Sequence, residues 1–192
     1  MSSNAPVFTP ELLKILKIFL GISVVLLLVF SLFDGHRANN TGKDRSFRVA
    51  DADKLYFFNL RAIHYDRELR REAGMTVYRH GKRTAADSLT GIFPAILLHP
   101  VQEEAYVYFE LSAEEYPLQV LVRAGSKSDT LQLELGGNAL HKAFAEQLRP
   151  YLEQEAVFVR LKEGKELPIW STEREKEVLK TILTDYFRLI NQ

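Results

Sequence analysis

From Leu12 to Phe33 the chain is apolar almost without interruption. Between Ile18 and Phe33 no residue is charged, and only Gly21, Ser23 and Ser31 are not strongly apolar. Coiled as an α-helix at about 1.5 Å per residue, the stretch extends about 33 Å, enough to cross a hydrocarbon core of about 30 Å. Lys14 and Lys17 lie near one end, where their stems can run along the helix while the ammonium groups reach the headgroups. A helix of this kind is apolar on every side, whereas a buried core helix is amphipathic. A cleaved signal peptide is the competing reading, but the residues after the apolar run (Ser31 to Gly35) contain no A-x-A-like cleavage site. The expectation is an uncleaved transmembrane helix over residues 12–33, preceded by a tail over 1–11.

The direction of the anchor is set by two opposed arguments. Arg37, Lys43, Arg45 and Arg48 follow the span, so a literal positive-inside count puts the C-terminal part in the cytoplasm. Long domains, however, translocate largely regardless of flanking charge. On balance the expected location of the folded part is outside the cytoplasmic membrane.

What remains after the anchor is one domain's worth of chain, enough for a single core. The chain has no cysteine, which excludes disulfide scaffolds, cysteine-ligated zinc and thiol nucleophiles. Net charge is zero, yet residues 1–83 carry fourteen Lys and Arg against eight Asp and Glu, and the remainder reverses the balance. A basic part next to the span suits attraction to anionic headgroups, while the lack of an overall basic character argues against nucleic acid.

Residues 34–50, rich in Gly, Asn, Ser and charge, read as a tether; Asn39-Asn40-Thr41 matches a glycosylation sequon. The soluble domain is then expected over 51–192. Within it Leu55 to Leu60 reads as an aromatic-rich strand, and Ile63 to Ala73 as a short exposed helix or charged loop. Met75 to His80 follows as a strand, Gly81 to Gly91 as a polar loop, and Ile92 to Leu98 as a strand whose Pro94 suggests an edge or a bulge. Further strands are expected at Ala105 to Leu111 and Leu118 to Arg123, separated by a turn over Ser112 to Pro117. The alternation Leu131, Leu133, Leu135 gives another, joined to its predecessor by the loop Ala124 to Thr130. Asn138 is a candidate cap for a helix with the stripe Leu140, Phe144, Leu148. Ala156 to Leu161 is a strand turned by Glu163-Gly164-Lys165 toward Leu167 to Trp170. Thr172 and Glu175 have capping-box spacing before a last helix whose face is Val178, Leu179, Ile182, Leu183, Tyr186, Phe187 and Ile190. The class is α+β: one mainly antiparallel sheet, with two helices from the C-terminal half packed on it.

Few residues carry a chemical signal. Arg79-His80-Gly81, continued by Lys82-Arg83-Thr84, resembles the R-H-G motif of histidine phosphatases, and R-H-G-x-R-T is similar to their acid-phosphatase branch. The resemblance implies His80 as the phosphoryl-accepting nucleophile and Arg79 and Arg83 as the phosphate clamp. It covers six residues; the family's α/β order and second histidine have no counterpart, since His99 precedes Pro100 and His141 precedes Lys142. In His64-Tyr65-Asp66 three proton-carrying groups adjoin, but strand neighbours point to opposite faces. The acid pairs Glu103-Glu104 and Glu114-Glu115 read as solvated turns, and Gly136-Gly137-Asn138 as a strand-to-helix turn. Histidine spacing offers no metal motif and no glycine pattern suits a nucleotide, so neither metal nor cofactor is expected. Arg61, Arg67, Arg70, Arg71, Lys82 and Arg83 are the candidate contact with anionic lipid headgroups or with another protein. The preferred function is a single-pass anchored domain acting by binding or scaffolding; the competing class is an anchored hydrolase with a phosphate site at Arg79-His80-Gly81.

Overall fold

The computed structural model describes residues 10–33, 45–83, 91–111 and 116–192, of which residues 27–33 and 45 are described as backbone alone. It contains two compact units, Met1–Asn40 and Thr41–Gln192. The first is represented by one helix, α1 (Pro10–Phe33). From Leu12 to Leu26 its large apolar side chains are all exposed. Among the described residues, no helix is long and apolar enough to cross a membrane. The expected tail before Pro10, the sequon, the larger part of the tether and the acid pair Glu114-Glu115 lie outside the described residues, as do the centres of the loop 81–91 and the turn 112–117.

The second unit is α+β. Where sequence reading expects one sheet there are two, each antiparallel and four-stranded. The first is a meander of β1 (Tyr65–Arg70), β2 (Met75–His80), β3 (Ile92–His99) and β4 (Glu104–Leu111). The second has the order β6 (Lys127–Leu133), β5 (Leu118–Ala124), β7 (Ala156–Lys162), β8 (Lys165–Ile169). The division follows from connectivity: β5 pairs with β6 and β7 on its two sides and never with β4. Two tight turns close the hairpins of the second sheet. Gly125-Ser126 joins β5 to β6, so the expected loop 124–130 is mostly strand, and Glu163-Gly164 joins β7 to β8 with both residues left-handed (φ 49° and 74°). That geometry matches the twist of the flanking strands.

Two helices complete the core. Helix α4 (Glu173–Leu189) packs on β3 and β4, and its predicted apolar face is buried from Val178 to Ile190. Its N-terminus carries the expected capping box between Thr172 and Glu175. Helix α3 (Asn138–Leu148) touches β4 of one sheet and β6 of the other, both edge strands. The backbone N–H of Phe109 donates to His141 Nδ1 (3.2 Å), so a side chain supplies an acceptor at the β4 edge. The buried stripe of α3 is therefore His141, Phe144, Ala145 and Leu148, while Leu140, expected in it, is 41% exposed. Gly137 takes the N-cap position in place of Asn138, with no side-chain cap. Trp170 Nε1–H donates to the Ile92 carbonyl (3.0 Å), tying the end of β8 to the start of β3. One hydrophobic cluster spans both sheets and both helices.

Three further expectations are corrected. Leu55 to Leu60 is helical: α2 (Asp51–Tyr56) continues into a π-helical turn, Phe57–Arg61. Asp51 and Asp53 sit in the first turn, where carboxylates favour helix. Of the aromatic run only Phe57 is inserted, against the rings of Tyr65 and Tyr78, while Leu55, Phe58 and Leu60 are exposed. Strand propensity yields because a single side chain needs burial there. Residues 65–70, expected as helix or loop, form edge strand β1, whose backbone pairs in full register with β2 although little of it is buried. Pro94 lies in a strand interior to its sheet, yet β2 pairs with β3 only from Ile96 to Leu98, so at Pro94 the strand has one paired side. Packing also begins inside the stretch read as tether, since Phe47 and Val49 are buried and Arg48 bridges to Glu104.

Candidate functional site

The residues singled out by sequence meet at β1 and β2 but do not converge. Successive residues of β2 face opposite sides. Arg79 is on the outer face, where it pairs with Glu68 and Glu110, its Nε 2.7 Å from Glu110. These carboxylates hold its guanidinium above its ordinary pKa, and Arg79 in turn lowers that of Glu68. His80 is on the inner face, buried, with its ring edge-on to Tyr65 (5.2 Å) and stacked over His64 (6.5 Å). Its Nδ1 accepts the backbone N–H of Lys82 (3.2 Å). Burial first, then the neighbouring His64, lowers its pKa. Arg83 pairs with Asp66. Both arginines of the resembled motif thus hold carboxylates, and the nucleophile position faces away from one of them.

Half of the candidate cationic surface is neutralised in the same way. Arg61 pairs with Asp185, Arg70 with Glu68 and Arg83 with Asp66. Arg67, Arg71 and Lys82 have no ion pair among the described residues. Lys82 and Arg83 border a cleft of about 180 Å³ floored by Ile92, Pro94, Trp170 and Leu179.

Beneath β1 lies a polar cluster that pairing and burial explain. Asp185, 5% exposed on α4, accepts Arg61 Nε–H at 2.8 and 3.1 Å and the Tyr65 hydroxyl at 2.7 Å. Burial chiefly, with the Asp185 charge, pushes the Tyr65 hydroxyl far up, so it stays a donor. Sequence analysis does not single out Asp185, although an acid seven residues after Val178, on the apolar stripe of α4, is a legible signal of a paired buried charge. Among the described residues there is no group of three or more His, Asp or Glu placed to hold a metal ion.

A second concavity is of a different kind. On the inner face of the first sheet, beyond the reach of this cluster, a groove of about 470 Å³ opens between the sheet and the α2 and π-helical segment. Leu69, Thr76 and Leu98 occupy one cross-strand row of its floor, and Arg67 and Tyr78 the next. Phe58 and Ala62 form the helical wall together with Lys54, and Val49 and the β3–β4 turn close the end. Thr76 and Tyr78 are 5% and 4% exposed as residues, and their hydroxyls, open to the groove, have no hydrogen-bond partner among the described residues. Lys54, like Arg67, lacks an ion pair among the described residues. Burial raises the Tyr78 pKa, which keeps its hydroxyl protonated and able to donate. The groove is hidden in the sequence because the residues of one wall have strand propensity and Arg67 falls in a run of surface charge. No family model matches this chain, and no curated protein or solved structure matches it either.

Proposed function

We propose that the protein is a single-pass membrane-anchored domain that acts by binding or scaffolding. The observation that carries this reading is the exposure of the large apolar side chains of α1 from Leu12 to Leu26, on all sides of the helix. A helix of that composition is stable only where something apolar covers it, and the sequence continues apolar to Phe33. In this reading the bilayer covers Leu12–Phe33 and the folded unit lies outside the cytoplasmic membrane. Arg71 and Lys82, exposed and without ion pairs among the described residues, add a weak, salt-screened attraction to anionic headgroups. Binding is preferred over catalysis because the residues of the phosphatase-like motif are engaged with carboxylates or face apart.

The test is fractionation followed by protease protection. The full chain is expected in the membrane fraction, resistant to alkaline carbonate and released by detergent. In spheroplasts, added protease is expected to digest the folded unit. Recovery in the carbonate supernatant would remove the anchor; protection from protease would reverse its direction.

A further inference from the structure

Thr76 and Tyr78 lie side by side on the floor of one groove, their side chains mostly buried but their hydroxyls open to its space and without a hydrogen-bond partner among the described residues, so both are free to bond a ligand there. Around them the surfaces are apolar, with Leu69 52% and Phe58 42% exposed. Two cations, Lys54 and Arg67, line the same space. The wall that carries Phe58 is π-helical, a local irregularity found often at functional sites. The volume falls within the usual range of small-ligand pockets, which combine apolar walls with a few convergent polar groups.

We infer that this groove binds a single-headed anionic amphiphile, with its anionic head on Arg67, Lys54 and the Tyr78 and Thr76 hydroxyls and its apolar body on Leu69, Leu98 and Phe58. Charge sets the orientation. Glu104 lies on β4, three strands from Arg67 on β1, about 14 Å at the usual strand spacing. Its carboxylate is held by the Tyr106 hydroxyl. The acidic end repels an anion and the Arg67 end accepts it, so the head lies toward β1. The same head chemistry comes from a free fatty acid or from an anionic membrane lipid. The inference stands on the groove alone and does not depend on the anchor.

The experiment uses the full chain with phosphatidylcholine bilayers present and titrates laurate, with 1-dodecanol as the uncharged control. Saturable one-to-one laurate binding is expected, with dodecanol weaker by about ten-fold, the scale of one charge-assisted contact. Arg67→Glu and Lys54→Glu, both outside the core, are each expected to weaken laurate by about ten-fold or more with thermal stability unchanged. Tyr78→Phe and Thr76→Val should each weaken it several-fold. Replacing phosphatidylcholine by phosphatidylglycerol separates the sources: displacement of laurate assigns a bilayer lipid as the occupant, and no displacement assigns the free acid. Absence of saturable laurate binding, or equal binding by Arg67→Glu, overturns the inference.

Discussion

The hydroxyl of Tyr65 on β1 donates to the carboxylate of Asp185 on α4 at 2.7 Å, across 120 residues of chain. Arg61 Nε–H donates to the same carboxylate. The three groups join the π-helical turn, the edge strand and the last helix. Asp185→Ala strands a half-buried guanidinium and a buried hydroxyl, and is expected to cost about 3 kcal/mol in urea denaturation. Tyr65→Phe, which leaves the ion pair in place, should cost about 1 kcal/mol. A loss below 1 kcal/mol for Asp185→Ala would show that the contact is not maintained in solution.

Acid should weaken the fold through His141. Its ring is buried against Tyr108 (4.2 Å), its Nδ1 accepts the Phe109 N–H, and burial lowers its pKa from 6.5 to about 4. Because the folded pKa is depressed, the unfolded chain takes up this proton first as pH falls. The stabilisation from a neutral His141 is complete above about pH 6.5, declines between about 6.5 and 4, and is fully lost below, about 3 kcal/mol in total. Denaturation midpoints measured across that range should show the decline. His141→Gln, which still offers an acceptor to Phe109, should remove this part of the pH dependence; a profile identical to that of the parent chain would refute the assignment.

Hydrolysis of p-nitrophenyl phosphate by the purified full chain should not depend on His80. His80 and Arg79 face opposite sides of β2, and Arg79 is held by Glu68 and Glu110. The expected rate is the same for the parent chain and for His80→Ala. A rate that drops with His80→Ala would reinstate the phosphatase-like reading. Arg79→Ala is instead a stability variant, expected to cost about 1–2 kcal/mol because two partly buried carboxylates lose their shared partner.

The capping box of α4 offers a clean local test. The Thr172 hydroxyl accepts the Glu175 N–H (3.2 Å), and the Glu175 carboxylate accepts the Thr172 N–H (3.0 Å). Thr172→Ala should lower stability by about 1 kcal/mol, and Thr172→Ser should restore most of it. Equal stability of all three proteins would show that water caps this helix equally well.

Elements with a strong local pattern were legible before any fold was known. The α4 stripe from Val178 to Ile190, its cap at Thr172 and the turn at Glu163-Gly164 each follow from side-chain period or backbone chemistry confined to a few residues. At Leu55 to Leu60 and Tyr65 to Arg70 the local pattern misleads for the opposite reason. An aromatic run takes helix when only Phe57 finds a pocket, and a charged run takes strand when a neighbouring edge offers hydrogen bonds. Both outcomes are set by partners distant in sequence. The candidate site shows the same division. The R-H-G spelling drew attention to His80 and Arg79, but strand alternation and the placement of Glu68, Glu110 and Asp66 decided their environments.

Sequence alone determined the apolar stretch Leu12–Phe33, the α+β class and the last helix, because each depends on the order of side chains along a local backbone period. Tertiary structure decided that the strands form two sheets, that half of the expected cationic patch is neutralised, and that Thr76, Tyr78, Lys54 and Arg67 share one groove. Those outcomes depend on which strand edges pair and which charges meet, and long-range closure sets both.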